Sequence, residues 1–357
     1  MEGVLTIFLS PFETAAGAEV AVLARQAIVL RSLDQPFVAA LLEAGQRQLH
    51  RAPRTAALIR NWPGDAAAAG LAMRFNGALH ALARADEDGR LATLLRHDHD
   101  DFDGAVGAVM AERDEFIAAW MRDPPQTNEV ARAGAIVAAL MVVASMVDMP
   151  FTLLELGSSA GLNLNLAHYR YDLGGQEAGS AGSPVLVAPA WRGAAAPVGS
   201  VRIAAARGVD LRPLDVSDAA ARERLSSFAW TDDPFRAALL TQAIALAQAH
   251  PPAIDRDDLT RWLPRQLATP QPAGLCRVVF HSMVLQYLNA QQRAAITDHI
   301  HRAGAGADQA RPLAWISFEW TECRSEVRLM LTCWPDGVRR HLATCHPYGE
   351  WIHWRPA

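Results

Sequence analysis

The hydrophobic pattern of this chain changes character once, at Phe151, and that change limits the fold more than any other feature. Before it, apolar residues recur only at helical spacing. After it, short apolar runs alternate with helical stripes as far as Phe318. A parallel strand is buried on both faces, and it reaches the next parallel strand through a helix that covers one face. Alternation of this kind therefore implies an α/β fold with a mostly parallel sheet. The division is drawn at residues 1–125 for an all-helical region and 126–357 for the α/β domain.

In the first half, Val20, Leu23, Ala24, Ala27 and Ile28 form one apolar stripe, and Phe116, Ile117, Trp120 and Met121 form another. Asn128 to Val147 reads as a buried helix, stopped by Asp148-Met149-Pro150. Its apolar part, Ala133 to Val147, reads as too short for a membrane span. Phe151–Leu156 is the first strand expected. Further strands are expected at 185–187, 201–210, 251–254, 276–280 and 313–318, with helices at 162–167, 217–228, 234–250, 257–267 and 290–302. The tail from Val327 to Trp354 alternates around Pro335-Asp336-Gly337, a turn signal that predicts antiparallel C-terminal strands.

Composition removes several chemistries. All 33 basic residues are arginine. Without lysine there is no Schiff base, no pyridoxal-phosphate anchor and no P-loop. A net charge of -5 gives no reason to expect a nucleic-acid or membrane partner, and a small-molecule substrate is expected instead. The four cysteines form no CxxC pair, and the run His97 to Asp103 reads as a solvated loop, so no metal is expected. No basic region precedes an apolar core near the first residues, and a reduced, cytoplasmic setting is expected.

The chemistry is expected where the first strand ends. In open α/β sheets, ligands sit at the carboxyl ends of the strands, beside helix N-termini. The segment Glu155-Leu156-Gly157-Ser158-Ser159-Ala160-Gly161-Leu162-Asn163 stands there. A dinucleotide fingerprint would need glycine at positions 159 and 162, which hold Ser159 and Leu162. Gly157 to Gly161 also matches G-x-S-x-G, which would make Ser159 the nucleophile of an α/β serine hydrolase with His281 or His346 as its base. That arrangement needs strands ahead of the turn and an oxyanion loop, and neither is visible upstream. An acid followed by G-x-x-x-G is the first motif of S-adenosylmethionine-dependent methyltransferases, and the segment fits it without departure. A second acid is expected at the end of the next strand, where two carboxylate oxygens match a ribose diol; Asp210 stands there. Asp257, before a later helix, is the candidate near the adenine.

The chain also resembles a bacterial family of uncharacterised proteins, a domain of unknown function whose fold is taken to be similar to class I S-adenosylmethionine-dependent methyltransferases. The residues that carry the resemblance are Gln126 to Glu129 with Arg132, Glu155 to Asn163, and Tyr169 to Asp172. Arg207 to Asp210 with Pro213 and Asp215, Phe280 to Ser282 with Tyr287, and His346-Pro347 with Gly349 and Trp354 complete them. The resemblance implies a Rossmann-like fold with S-adenosylmethionine as cofactor. The gap of forty-odd residues between the glycine turn and Asp210 departs from ordinary methyltransferases.

On this reading the cofactor is held by Glu155, Gly157, Ser158, Ser159, Gly161, Asn163, Asp210 and Asp257. Asn128 and Arg132 are the substrate-binding candidates, with Arg132 suited to an acidic group. Glu129, His281 and Tyr287 are the candidate proton acceptors for methyl transfer. A protein that binds the cofactor without turnover is the remaining alternative.

Overall fold

The computed structural model describes residues 22–32, 34–67, 69–229 and 234–356; Val20 lies outside them. Its contacts divide the chain into two compact units. One holds the described residues up to Thr127 together with Ala219–Ala238. The other holds Asn128–Asp218 and Leu239 onward. The stretch 219–238 thus goes with the helical unit, although it lies inside the α/β region of the sequence.

The helical unit contains Val22–Ser32, Pro36–Gln48, Pro53–Arg60, Leu71–Ala85, Arg90–Leu95 and Phe102–Trp120. Prolines open the second and third, at a position whose N–H has no helical partner in any case. Leu71–Ala85 is buried almost all round, and its neighbours approach through glycines. A side chain at Gly45 would meet the Phe75 ring at 2.5 Å, and one at Gly77 the Phe228 ring at 2.7 Å. The acidic run at 97–103 is used structurally. Asp101 caps Phe102–Trp120 by accepting from the Gly104 amide at 2.9 Å, and Asp103 pairs with Arg47.

The second unit is built on a nine-stranded sheet. In chain order its strands and those of a small side sheet are β1 (Phe151–Leu156), β2 (Arg170–Asp172), β3 (Glu177–Gly179), β4 (Leu186–Val187), β5 (Ala190–Gly193) and β6 (Ile203–Asp210). There follow β7 (Ile254–Arg256), β8 (Cys276–Ser282), β9 (Leu313–Trp320), β10 (Val327–Trp334), β11 (Val338–Cys345) and β12 (Trp351–Trp354). The main sheet has the order β5-β12-β11-β10-β9-β8-β1-β6-β7, and the side sheet β3-β2-β4. From β1 the chain moves outward to β6 and β7, then crosses back to β8 and β9, all in parallel pairing. The winding direction therefore reverses between β1 and β8.

Both faces of this parallel core are covered. Leu154 and Leu156 pack with Val209, Val279, Trp262, Leu263, Ile296 and Ile300 under the helices Leu259–Ala268 and Ala290–Ala305. Leu153 and Glu155 have the opposite parity. Helix Ala133–Val147 packs on β9 and β10. With the 3₁₀ turn before it, Val130–Val147 has mean hydropathy 2.1 over 18 residues, long and apolar enough to cross a membrane. It is 67% buried inside the protein, as a core helix is.

Two local outcomes differ from the sequence expectation. The segment after the first turn is a 3₁₀ helix, Leu162–His168. Strand β5, unmarked in the sequence, closes the sheet edge by parallel pairing with β12.

Gly304 marks how closely helix Ala290–Ala305 sits on the tail: a Cβ there would lie 2.3 Å from the Trp334 ring. Alanine favours a helix interior over glycine by about 1 kcal/mol, whereas overpacking costs about 1–3 kcal/mol. Gly304→Ala should therefore lower the urea midpoint. A raised midpoint would contradict the packing.

Candidate functional site

Leaving β1, the backbone bends through Gly157 (φ +70°), Ser159 (φ +55°) and Gly161 (φ +69°). The glycines permit close approaches. A Cβ on Gly157 would lie 2.6 Å from the Val284 side chain, and one on Gly161 would lie 2.8 Å from Pro252 and Ile254. Ser159 takes a left-handed conformation that disfavours ordinary side chains, so its neighbours must hold it there. They do so on both sides: its N–H donates to Asp210 Oδ2 at 2.8 Å, and its carbonyl accepts from the Leu214 N–H at 3.1 Å.

Every backbone amide of the bend is occupied within the protein. The Gly157 and Ser158 amides donate to the Val209 carbonyl at 2.9 and 3.0 Å, and Gly161 donates to the Ser158 carbonyl at 2.7 Å. Ala160 and Leu162 both donate to Asn128 Oδ1, at 3.0 and 3.1 Å. From 157 to 162 no backbone N–H is left for a ligand. Asn128, read as a substrate-binding candidate, is instead the acceptor that fastens the bend. It adopts a positive φ of 31° to reach it.

The vacant hydrogen-bonding capacity is of the other sign. Glu155 is 3% exposed, and its Oε2 has no hydrogen-bond partner among the described residues. Burial, and next the charge of Asp210, hold its pKa well above the ordinary carboxylate value. The Ser158 hydroxyl donates to the Glu155 carbonyl at 3.2 Å. Asn163, also buried, spends its amide N–H on the Glu129 carbonyl at 3.3 Å, and its Oδ1 has no partner. Two buried acceptors without donors thus flank one bend, where buried polar groups are ordinarily satisfied.

Asp210 ends β6 beside the bend. Each of its oxygens accepts one amide, Oδ2 from Ser159 and Oδ1 from Arg212 at 2.8 Å. A carboxylate offers about four acceptor positions, so further donors can be taken. Asp257 lies close by, with its N–H on the Asp210 carbonyl at 3.1 Å. Its carboxylate, however, pairs with Arg265 and accepts from the Asp258 amide. The cap of helix Leu259–Ala268 is Asp258, which accepts from the Thr260 N–H at 2.8 Å.

The segment ahead of the buried helix brings in Glu129 and Arg132, both buried. The Arg132 Nε–H donates to the Pro347 carbonyl at 2.9 Å, and its NH1 group reaches the Ser282 carbonyl at 3.5 Å. Gly349 allows this contact between segments, because a Cβ there would lie 2.6 Å from the Ala131 backbone. Tyr287 closes a 3₁₀ turn after β8 and is 45% exposed.

His281 is fully buried, and both of its ring nitrogens are committed. The Trp315 indole can only donate, so its N–H to His281 Nε2 at 3.0 Å assigns that nitrogen as acceptor. The proton then sits on Nδ1 and donates to Glu319 Oε1 at 2.7 Å. Glu319 Oε1 also accepts from the Val284 and Leu285 amides, at 2.9 and 3.3 Å. The expectation that His281 accepts a substrate proton is corrected on this ground: it links β8 to β9 and offers no nitrogen. Glu319 went unmarked in the sequence. An acid between Phe318 and Trp320 in an apolar strand was the available signal.

Among the described residues no strand precedes β1, whereas a hydrolase elbow would follow several. The glycine bend follows the first strand among the described residues. Over residues 20–354 the chain matches a family described as an uncharacterized protein conserved in bacteria (DUF2332). The chain belongs to that family. No curated protein matches it, and no solved structure does.

The buried acid carries a pH signature. Unfolded, Glu155 loses its proton around 4.5; folded, it keeps the proton to a higher pH. The folded state then binds more protons than the unfolded one, so stability falls as pH rises between the two values, by at most about 1.4 kcal/mol per pH unit. Glu155→Gln cannot ionise and should flatten this decline in urea titrations run at several pH values. Parallel profiles for the two proteins would contradict the assignment.

Proposed function

We propose that this protein binds S-adenosylmethionine at the carboxyl ends of β1 and β6 and transfers its methyl group to a small-molecule acceptor. The observation that carries the reading is the pair of buried acceptors without donors, Glu155 Oε2 and Asn163 Oδ1, at the glycine bend. They call for a donor, and the cofactor's amino group is a cationic one with three N–H bonds. The fully occupied amides argue the same way from the opposite side. A nucleotide phosphate at such a bend is held by free backbone N–H groups, and none remains from 157 to 162. An adenosyl amino acid, which carries no phosphate, does not need them.

The location supports the reading as well. Winding reverses between β1 and β8, and ligands of doubly wound sheets sit outside such a reversal. Asp210 retains acceptor positions for a ribose diol beside the two amides it already holds. Asp257 does not serve as an adenine contact in this reading, because Arg265 occupies its carboxylate.

The cofactor supplies an electrophilic methyl on a sulfonium. The protein's part is to orient the acceptor in line and to take its proton. Glu129, buried beside the bend, is the carboxylate suited to that task, with the exposed Tyr287 as the second group; His281 is excluded by its two bonds. An ammonium beside Glu155 favours its charged form, so binding should lower its pKa.

Calorimetric titration with S-adenosylhomocysteine tests the reading. The wild-type protein should bind it, and a nucleoside diphosphate should not compete. Asp210→Asn should weaken binding roughly tenfold to a hundredfold, the range for losing hydrogen bonds to a charged group. Absence of binding, or equal binding by the folded variant, would refute the proposal.

A further inference from the structure

Arg132 is 7% exposed, yet among the described residues no carboxylate pairs with its guanidinium. Its protein contacts are the two backbone carbonyls, of Pro347 and Ser282, and the face of the Phe318 ring at 5.9 Å. A guanidinium has five N–H donors in a planar fork, and two carbonyls leave the greater part of that fork unused. Burying a charge without a counter-charge is expensive, and burial here depresses the arginine's pKa. Glu129, Tyr348, Tyr287 and Glu319 act against that depression from farther off. A planar oxyanion would complete the fork with two parallel hydrogen bonds.

Position distinguishes which reactant would bring it. Asp210 and the bend lie toward β6, on one side of β1. Arg132 meets the end of β8 at Ser282 and the β9 residue Phe318, across β1 from Asp210. The exposed Tyr287 stands on the same side, on the turn that follows β8.

We infer that Arg132 is the anchor of a carboxylate subsite, and that the methyl acceptor of this protein is a small molecule bearing a carboxylate. This inference rests on the proposed cofactor site. The acid group would be held at Arg132, with the nucleophile directed toward β1 and Glu129 or Tyr287 taking the leaving proton.

The test is thermal stabilisation of the protein by succinate and benzoate, each compared with its neutral amide, with and without S-adenosylhomocysteine. The wild-type protein should respond to the acids and not to the amides. Arg132→Met should lose the response, with apparent affinity falling about tenfold to a hundredfold. Arg132→Lys keeps the charge without the fork and should fall between the two. Equal responses to acid and amide in the wild type would overturn the inference, as would an unchanged response in Arg132→Met. A folded Arg132→Met that loses S-adenosylhomocysteine affinity while still binding methylthioadenosine, which lacks the amino-acid end, would assign the arginine to the cofactor and overturn it too. A wild-type protein that selects carboxylates but binds neither adenosyl compound would keep the subsite and refute the cofactor reading alone.

Discussion

The α/β unit depends on how two side-chain oxygens hold a bend that would not hold itself. Asn128 Oδ1 takes the amides of Ala160 and Leu162, and Asp210 Oδ2 takes that of Ser159. These bonds tie three separate pieces of chain together: the entry to the buried helix, the end of β1 and the end of β6. They keep Ser159 left-handed, a conformation that costs about 1–3 kcal/mol without such support. With Val284 over Gly157 and Pro252 against Gly161, the bend is fixed from every strand that borders it.

The same clamp decides what the bend can recognise. Because its N–H groups are spent internally, it has little to offer an anion. The side-chain oxygens left over are Glu155 Oε2 and Asn163 Oδ1, the first on a carboxyl whose pKa burial raises well above the ordinary value. Chemistry at this edge is therefore biased toward a ligand that donates. Across β1 the bias reverses: Arg132 is a buried donor that pairs with no carboxylate among the described residues. A donor-seeking bend on one side of β1 and an acceptor-seeking arginine on the other suit two reactants of opposite character.

Much of the architecture was legible from local pattern. The apolar runs at Phe151–Leu156 and Cys276–Phe280, and the turn at Pro335-Asp336-Gly337, signal their elements because period and turn chemistry are properties of adjacent residues. So was the placing of Glu155 and Asp210 at neighbouring strand ends. What stayed hidden was pairing between distant segments. Asn128 reads as a substrate-binding residue until the fold brings it to residue 160, and His281 reads as a free base until Glu319 and Trp315 close on it. The cap before Leu259 is Asp258 and not Asp257, a choice set by backbone geometry that two adjacent aspartates cannot reveal. β5 is short and finds its partner only in the C-terminal tail.

The claim on which the account turns is that the Glu155 carboxyl is buried, holds its proton to a higher pH than an ordinary carboxyl, and is ready for a cationic donor. Its side-chain carboxyl carbon can be followed by ¹³C NMR as pH is raised, with and without S-adenosylhomocysteine. The account predicts a titration above the ordinary carboxylate range in the free protein and one moved to lower pH at saturation with the ligand. An ordinary carboxylate titration in the free protein, or one that ignores bound ligand, would contradict it.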